Sequence, residues 1–148
     1  MSTTLERDGN GRRRLSSRER DQLLDLPLTG VLSTLSSAGW IHSVPVHFYW
    51  KSGELRVLAE RDSAKCRNAR RNGRATLCVE TTLGGNDRRY VSAEGPVSVE
   101  ESVSLEDLTA LDGRYDRQDA AEFDQGSYED SVMLVLRPER LIAWSDAD

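Results

Sequence analysis

Between Gly30 and Ala59 the chain sets three strand-like runs end to end, with only three residues between one run and the next. Gly30 to Ser36 (GVLSTLS) alternates, with Val31, Ser33 and Leu35 on one face and Leu32 and Thr34 on the other. Ser37-Ala38-Gly39 turns the chain into Trp40 to Trp50 (WIHSVPVHFYW), a long aromatic and β-branched run. Lys51-Ser52-Gly53 turns it again into Glu54 to Ala59. Links this short join antiparallel neighbours, because a parallel crossover takes a dozen or more residues. An antiparallel meander follows, and a doubly wound parallel sheet is excluded for this stretch.

The flanks complete a mainly β pattern. Met1 to about Arg14 shows no hydrophobic periodicity and reads as a disordered arm, which leaves residues 15–148 as one domain. Ser16 with Glu19 has capping-box spacing, Leu23, Leu24 and Leu26 give a short apolar face, and Pro27 stops that helix. A second short helix runs from an Asp62-Ser63 start through AKCRNARRN to Gly73. Strands at Arg74–Thr81 and Arg89–Val99 follow, joined by a Gly-Gly-Asn turn. Then come an acidic helix from about Ser102 to Tyr115, a polar loop, and a last strand over Val132–Leu136 and Leu141–Trp144. About six strands with three short helices suit a small antiparallel barrel.

Charge and composition narrow the partners. A formal net charge of -5 argues against generic nucleic-acid binding and against an anionic membrane surface. No apolar run reaches transmembrane length, and no hydrophobic segment follows Arg12, Arg13 and Arg14, so a cytoplasmic placement is expected. Cys66 and Cys78 lack metal-site spacing. His42 and His47, five apart, fall on opposite faces of a regular strand, so no metal is expected. With 37% hydrophobic and 30% charged residues, a chain of 148 residues is expected to complete its burial at a subunit interface.

The helix opening at Ser63 carries the sharpest chemical signal. Lys65, one of only two lysines, sits in its first turn between Arg61 and Arg67. A cation there is unfavourable by about 0.3–1 kcal/mol against the helix dipole. A bound anion would reverse that, meeting free N–H donors, the dipole and the lysine together. The alternative is a solvated basic helix, since Arg70, Arg71 and Arg74 lie favourably near its end. In the strand before it, Pro45 donates no ladder hydrogen bond and marks an edge or a bulge, where backbone groups face a ligand or only solvent. His47 is a candidate proton donor or haem ligand, or simply a half-buried strand histidine. Tyr49 and Tyr90 are further candidate donors. No Gly-x-Gly-x-x-Gly, phosphate-binding loop, Gly-x-Ser-x-Gly or Cys-x-x-Cys motif occurs.

Three blocks in this order and spacing, VLSTLSSAGWIHSVPVHFYW, GELRVLAERDSAKCRNARRNGRATLCV and RRYVSAEGPVSV, resemble a known family. It is the split β-barrel family that includes pyridoxamine-phosphate oxidases and the deazaflavin-dependent reductases of actinobacteria, in its flavin- and deazaflavin-dependent oxidoreductase branch. The resemblance covers Leu28 to about Val99, with a fainter echo at Leu134–Trp144. It implies a six-stranded antiparallel split barrel with short flanking helices, dimerising so that two cofactor sites form between subunits. Ser43, Val44, Pro45, Val46 and His47 would then run along the cofactor ring. Ala59, Glu60 and Arg61 would border the ribityl chain, and Ser63, Ala64, Lys65, Arg67 and Asn68 would hold the phosphate. One departure stands out: members commonly carry an aromatic residue where this chain has His47.

In such a protein the cofactor carries the chemistry, and the chain supplies position and shielding. The expected function is hydride transfer from reduced coenzyme F420 to an unsaturated small organic substrate. FMN is the alternative cofactor, and a non-enzymatic carrier of a tetrapyrrole is the alternative role.

Overall fold

The computed structural model describes residues 11–117 and 128–147. In chain order the elements are β1 (Arg13–Arg14), α1 (Ser17–Asp25), β2 (Gly30–Leu35), β3 (Ile41–Val46), β4 (Phe48–Lys51) and β5 (Glu54–Glu60). They continue with α2 (Ala64–Asn72), β6 (Arg74–Leu83), β7 (Asp87–Glu100), α3 (Leu105–Tyr115), β8 (Ser131–Leu136) and β9 (Arg140–Ser145). Every strand pairing is antiparallel, as the short links require.

The strands follow the order β3-β2-β6-β7-β8-β5-β4, and β9 joins β7 and β1 beside this path. β3 and β4 therefore stand at opposite ends of the sheet although a single residue, His47, separates them along the chain. That is the split in the barrel: the backbone is continuous there and the ladder is not. The long strand β7 serves both halves, pairing β9 over Arg89–Glu94 and β8 over Val97–Glu100. The change of partner falls at Gly95-Pro96. A Cβ on Gly95 would lie 2.3 Å from the Arg137 carbonyl oxygen, so only glycine admits the chain crossing from β8 to β9.

Alternation decides what fills the barrel. Leu32, Phe48, Leu55, Val57, Leu77, Val79, Leu134 and Leu136 point inward and are buried. A second cluster, with Tyr49, Leu108, Leu111, Met133 and Val135, packs α3 on the outside of β4 and β8. β8 contributes to both layers and has both faces covered, which is why it is buried from Val132 to Leu136 without alternation.

The helices begin and end close to where the sequence places them. Ser16 and Glu19 form a reciprocal capping box on α1, and Gly73 ends α2 in the left-handed conformation at φ 72°. Nine strands are described where about six are expected. The Trp40–Trp50 run breaks at His47 into β3 and β4, the last run divides around Arg137–Glu139 into β8 and β9, and β1 is additional. β1 is also where the expected N-terminal arm meets the sheet, with Arg13 opposite Ser145 and Arg14 opposite Trp144. Residues 1–10 of that arm, and residues 118–127 of the expected polar loop, lie outside the described residues. Pro45 does not interrupt the ladder. It pairs in register with Val31 on a strand at the sheet's end, the edge position its missing N–H allows.

Candidate functional site

Where β3 and β4 part, a cavity of about 440 Å³ opens, lined by Thr29, Pro45, Val46, His47, Leu58, Lys65 and Arg117. Four of these are among the sequence-predicted site residues, and they come from two segments, β3 with its following residue and the start of α2. The lining contains two cations and, among the described residues, no carboxylate. Such a cavity favours an anion at one point and, through Pro45, Val46 and Leu58, an apolar body beside it. A larger groove of about 670 Å³ lies on the outer side of β2, β6 and β7, bordered by Leu35, Ile41, Thr76 and Gly95. It holds none of the predicted residues and mixes Arg74 and Arg140 with Glu94 and Glu139, so the smaller cavity has the more directed chemistry.

The start of α2 presents backbone donors and a lysine with no acid among them. Its first turn has no acidic residue, and Ser63, at the N-cap, makes no side-chain cap bond. The Ser63 hydroxyl instead donates to the Glu60 carbonyl at 2.7 Å, and the first intrahelical bond is Arg67 N–H to the Ser63 carbonyl. The N–H groups of Ala64, Lys65 and Cys66 thus precede the first internal bond, with Lys65 beside them.

The other predicted phosphate and ribityl residues have different engagements. Asn68 is buried and turned inward, donating to Thr34 Oγ1 at 3.1 Å and accepting from Arg71 at 2.9 Å, so it ties α2 to β2. The Arg67 guanidinium folds back onto the Asp62 carbonyl. Arg61 pairs with Glu101 and donates to the Glu101 and Glu129 carbonyls, each at 2.8 Å. Ala59 is in the core, and Glu60 contributes its carbonyl to the turn. On β3, Ser43 lies on the outer face, sharing a 2.8 Å hydrogen bond with Ser33, while Val44 packs against the core. Of the phosphate set, the cavity lining takes Lys65; of the ring set, it takes Pro45, Val46 and His47.

Tyr49 is drawn away from the cavity. Its hydroxyl donates to Asp107 at 2.5 Å in the second core cluster, and Arg56 Nε meets the same carboxylate at 2.8 Å. Burial first, and then that carboxylate, raise the phenol well above its ordinary range, so it stays protonated near neutrality with its hydroxyl turned to Asp107. Tyr90 accepts a 3.0 Å bond from Arg12 on the β1 side of the sheet.

Sequence reading missed the residues that surround His47. Its imidazole stacks on the Tyr115 ring, with centroids 3.9 Å apart and planes 8° from parallel. Arg117 lines the cavity beside it. Partial burial, followed by the positive charges of Arg117 and Arg114, lowers the His47 pKa from its ordinary value, which favours the neutral ring at pH 7. No local signal links the end of α3 to residue 47, since almost seventy residues separate them along the chain.

Comparison with known proteins decides the family. Residues 17–145 match the family model described as pyridoxamine 5'-phosphate oxidase. The chain belongs to that family. A search of curated proteins finds no match. Among solved structures, this pyridoxamine 5'-phosphate oxidase family member is similar to a protein titled F420 reductase, at 25% identity and a TM-score of 0.67, over 82% of this chain and 94% of that one. It is similar to a conserved hypothetical protein from Mycobacterium tuberculosis, at 20% identity and a TM-score of 0.79, over 94% and 89%. It is also similar to an FAD and heme binding protein from Mycobacterium smegmatis, at 17% identity and a TM-score of 0.70, over 89% and 72%. The fold is thus the split barrel of this family. Among the described residues no helix is long and apolar enough to cross a membrane.

Proposed function

We propose that this chain is an oxidoreductase that uses reduced coenzyme F420 to reduce an unsaturated small organic substrate, working as a cytoplasmic homodimer. One observation carries the reading: Pro45, Val46 and His47 meet Lys65 on a single cavity at the split, without a carboxylate in the described lining. The residues present fit a phosphate-tailed aromatic cofactor. Lys65 and the amides that open α2 would hold the phosphate, and the Pro45–His47 backbone would lie against the ring edge. When bound, the cofactor supplies the hydride. The chain's own part is to place it, to keep water from its face with Val46 and Leu58, and to offer a neutral imidazole at the cavity mouth.

Dimerisation is supported by the outer face of β2 and β3, where Val31, Leu35 and Ile41 are exposed next to the equally exposed Trp40. The same face carries Pro45, so a second copy seated there would close one side of the cavity.

Titration with F420 and with FMN, followed by fluorescence quenching and polarisation, tests the reading. Tight F420 and weak FMN binding is the expected result; the reverse order moves the assignment to FMN, and binding of neither overturns it. Lys65→Ala is expected to weaken the cofactor by about 1.5–3 kcal/mol, the scale of a charge-assisted hydrogen bond. A tetrapyrrole-carrier reading is favoured by one feature, a neutral histidine at the mouth of the cavity. A Soret band on adding haem, lost in His47→Ala, would select it.

A further inference from the structure

The hydroxyl of Tyr115 reaches both sides of the split. It accepts from the Phe48 N–H at 3.2 Å, and its proton lies between the carbonyls of Leu28, at 2.7 Å, and Phe48, at 3.1 Å. Phe48 opens β4, which ends the sheet, so its outward N–H and C=O have no strand partner on that side. Leu28 lies two residues before β2, on the other flank of the split. One phenol thus satisfies exposed edge groups of β4 and binds them to the entry of β2. Arg114 lies over the same ring and that of Phe48, its guanidinium carbon 4.4 Å from the Phe48 ring centroid and 5.2 Å from that of Tyr115.

His47, the one residue between β3 and β4, lies flat on this anchored ring. A single residue joining two strands that do not pair has no ladder to set its orientation. We infer that Tyr115 is a positioning residue: by stacking on His47 while its hydroxyl grips Leu28 and Phe48, it fixes the imidazole at the split and leaves the ring edge and opposite face to address the bound cofactor. The inference rests on the proposal that the cavity is the cofactor site. Among the described residues, the charged groups around His47 are Arg114 at the end of α3, Arg117 just beyond it and, across the cavity lining, Lys65 from α2. All are cations, so the stack on Tyr115 supplies contact where no carboxylate among them holds the ring.

The test uses the full chain, with the imidazole signals followed by NMR against pH and assigned by their loss in His47→Gln. Intact protein is expected to show His47 ring protons shifted upfield by the Tyr115 ring current. Tyr115→Ala should abolish that shift and raise the His47 pKa, and the pH midpoint of F420 affinity should move by the same amount. Tyr115→Phe, which keeps the ring and removes the three backbone contacts, should retain a reduced ring-current shift; it decides the matter if the alanine variant does not fold. Unchanged His47 signals in a folded Tyr115 variant would overturn the inference. If the intact chain bound no F420 while the NMR changes appeared as expected, the positioning of His47 would stand and the proposed function would fall.

Discussion

The imidazole of His47 and the phenol of Tyr115 lie face to face, 3.9 Å between centroids, at the point where the barrel's two terminal strands separate. This pairing makes the acid side of the stability profile sensitive to one histidine. Partial burial, then Arg117 and Arg114, hold the folded pKa below the unfolded value of about 6.5. Above that value both states are neutral and the group contributes nothing. As pH falls through it, the unfolded chain gains a proton that the folded chain resists, and stability declines until the folded pKa is passed. Replacing His47 with Gln should flatten this decline below about pH 6.5, as urea denaturation at stepped pH would record. Parallel curves for the two proteins would show that the imidazole is not held neutral.

Asn68 separates a structural role from a ligand-binding one. Buried, and hydrogen-bonded to Thr34 and Arg71, it is expected to cost about 1–3 kcal/mol of stability when changed to Ala, because Thr34 Oγ1 is left buried without its donor. F420 affinity of the folded variant should remain that of the parent. A clear loss of affinity without loss of stability would return Asn68 to the phosphate site.

A second polar centre, Asp107, holds α3 onto the sheet. It accepts from Tyr49 at 2.5 Å, from Arg56 at 2.8 Å and from Ser104 in a capping box. Burial is the largest single influence on its carboxyl and pushes the pKa up, but Arg56, Tyr49 and Ser104 together outweigh it and the net direction is down. Its stabilising contribution is therefore present above the ordinary carboxylate range and is lost as pH falls through the folded pKa. Asp107→Ala leaves Arg56 without this partner, Tyr49 without its acceptor and the capping box without its carboxylate half, at an expected cost of about 3–5 kcal/mol, read from thermal or urea unfolding. Tyr49→Phe should cost about 1.5–3 kcal/mol and leave cofactor binding intact. Loss of binding with stability unchanged would place Tyr49 in the site after all.

How much of this was legible in the sequence depends on the range of the signal. Capping boxes, turn glycines and strand alternation act over a few residues, so α1, α2 and the hairpins β2–β3 and β4–β5 could be read directly, although they do not join into the single meander expected. The break at His47 could not, because the inward sequence Val44, Val46, Phe48 keeps a period of two straight through it. The pairing of Arg13 and Arg14 with β9 was hidden for a different reason. Ion pairs such as Arg13 with Glu19 hold that strand, and they leave no hydrophobic pattern. In the site, Lys65 was detectable because it breaks the helix-dipole rule locally. Tyr115 reaches His47, and Arg117 the cavity, only through the docking of α3, and Tyr49 was assigned from a strand face that α3 covers.

Gly95 makes the bend of β7 a stringent test of the two-sheet arrangement. A methyl group there would sit 2.3 Å from Arg137 O and 2.9 Å from Glu139 N, and both neighbours are backbone. Neither atom can give way by rotating a side chain, so Gly95→Ala must move the β8–β9 connection itself. A loss of more than about 3 kcal/mol is expected, at the upper end of ordinary single substitutions. Calorimetry would check it, and a melting temperature within a degree or two of the parent would mean that β8 and β9 connect less tightly against β7.

The exposed side of β2 and β3 gives the last prediction. Their register sets Val31 opposite Pro45 and Leu35 opposite Ile41, two apolar pairs on either side of the hydrogen-bonded Ser33–Ser43 pair, so the strip is mixed in character and its Pro45 end borders the cavity. Ile41 is 76% and Trp40 77% exposed in the single chain, an arrangement that costs solvation free energy unless another surface covers it. In a two-fold dimer the same strip meets itself, so one substitution acts twice. Ile41→Glu would place a carboxylate on each copy against an apolar partner, and neither could be buried without a counter-charge. Light scattering should then show the parent at twice the chain mass and the variant at the chain mass, with F420 binding weakened and the monomer still folded. A parent that already runs as a single chain at micromolar concentration would remove the dimer, and with it the shared wall of the proposed site.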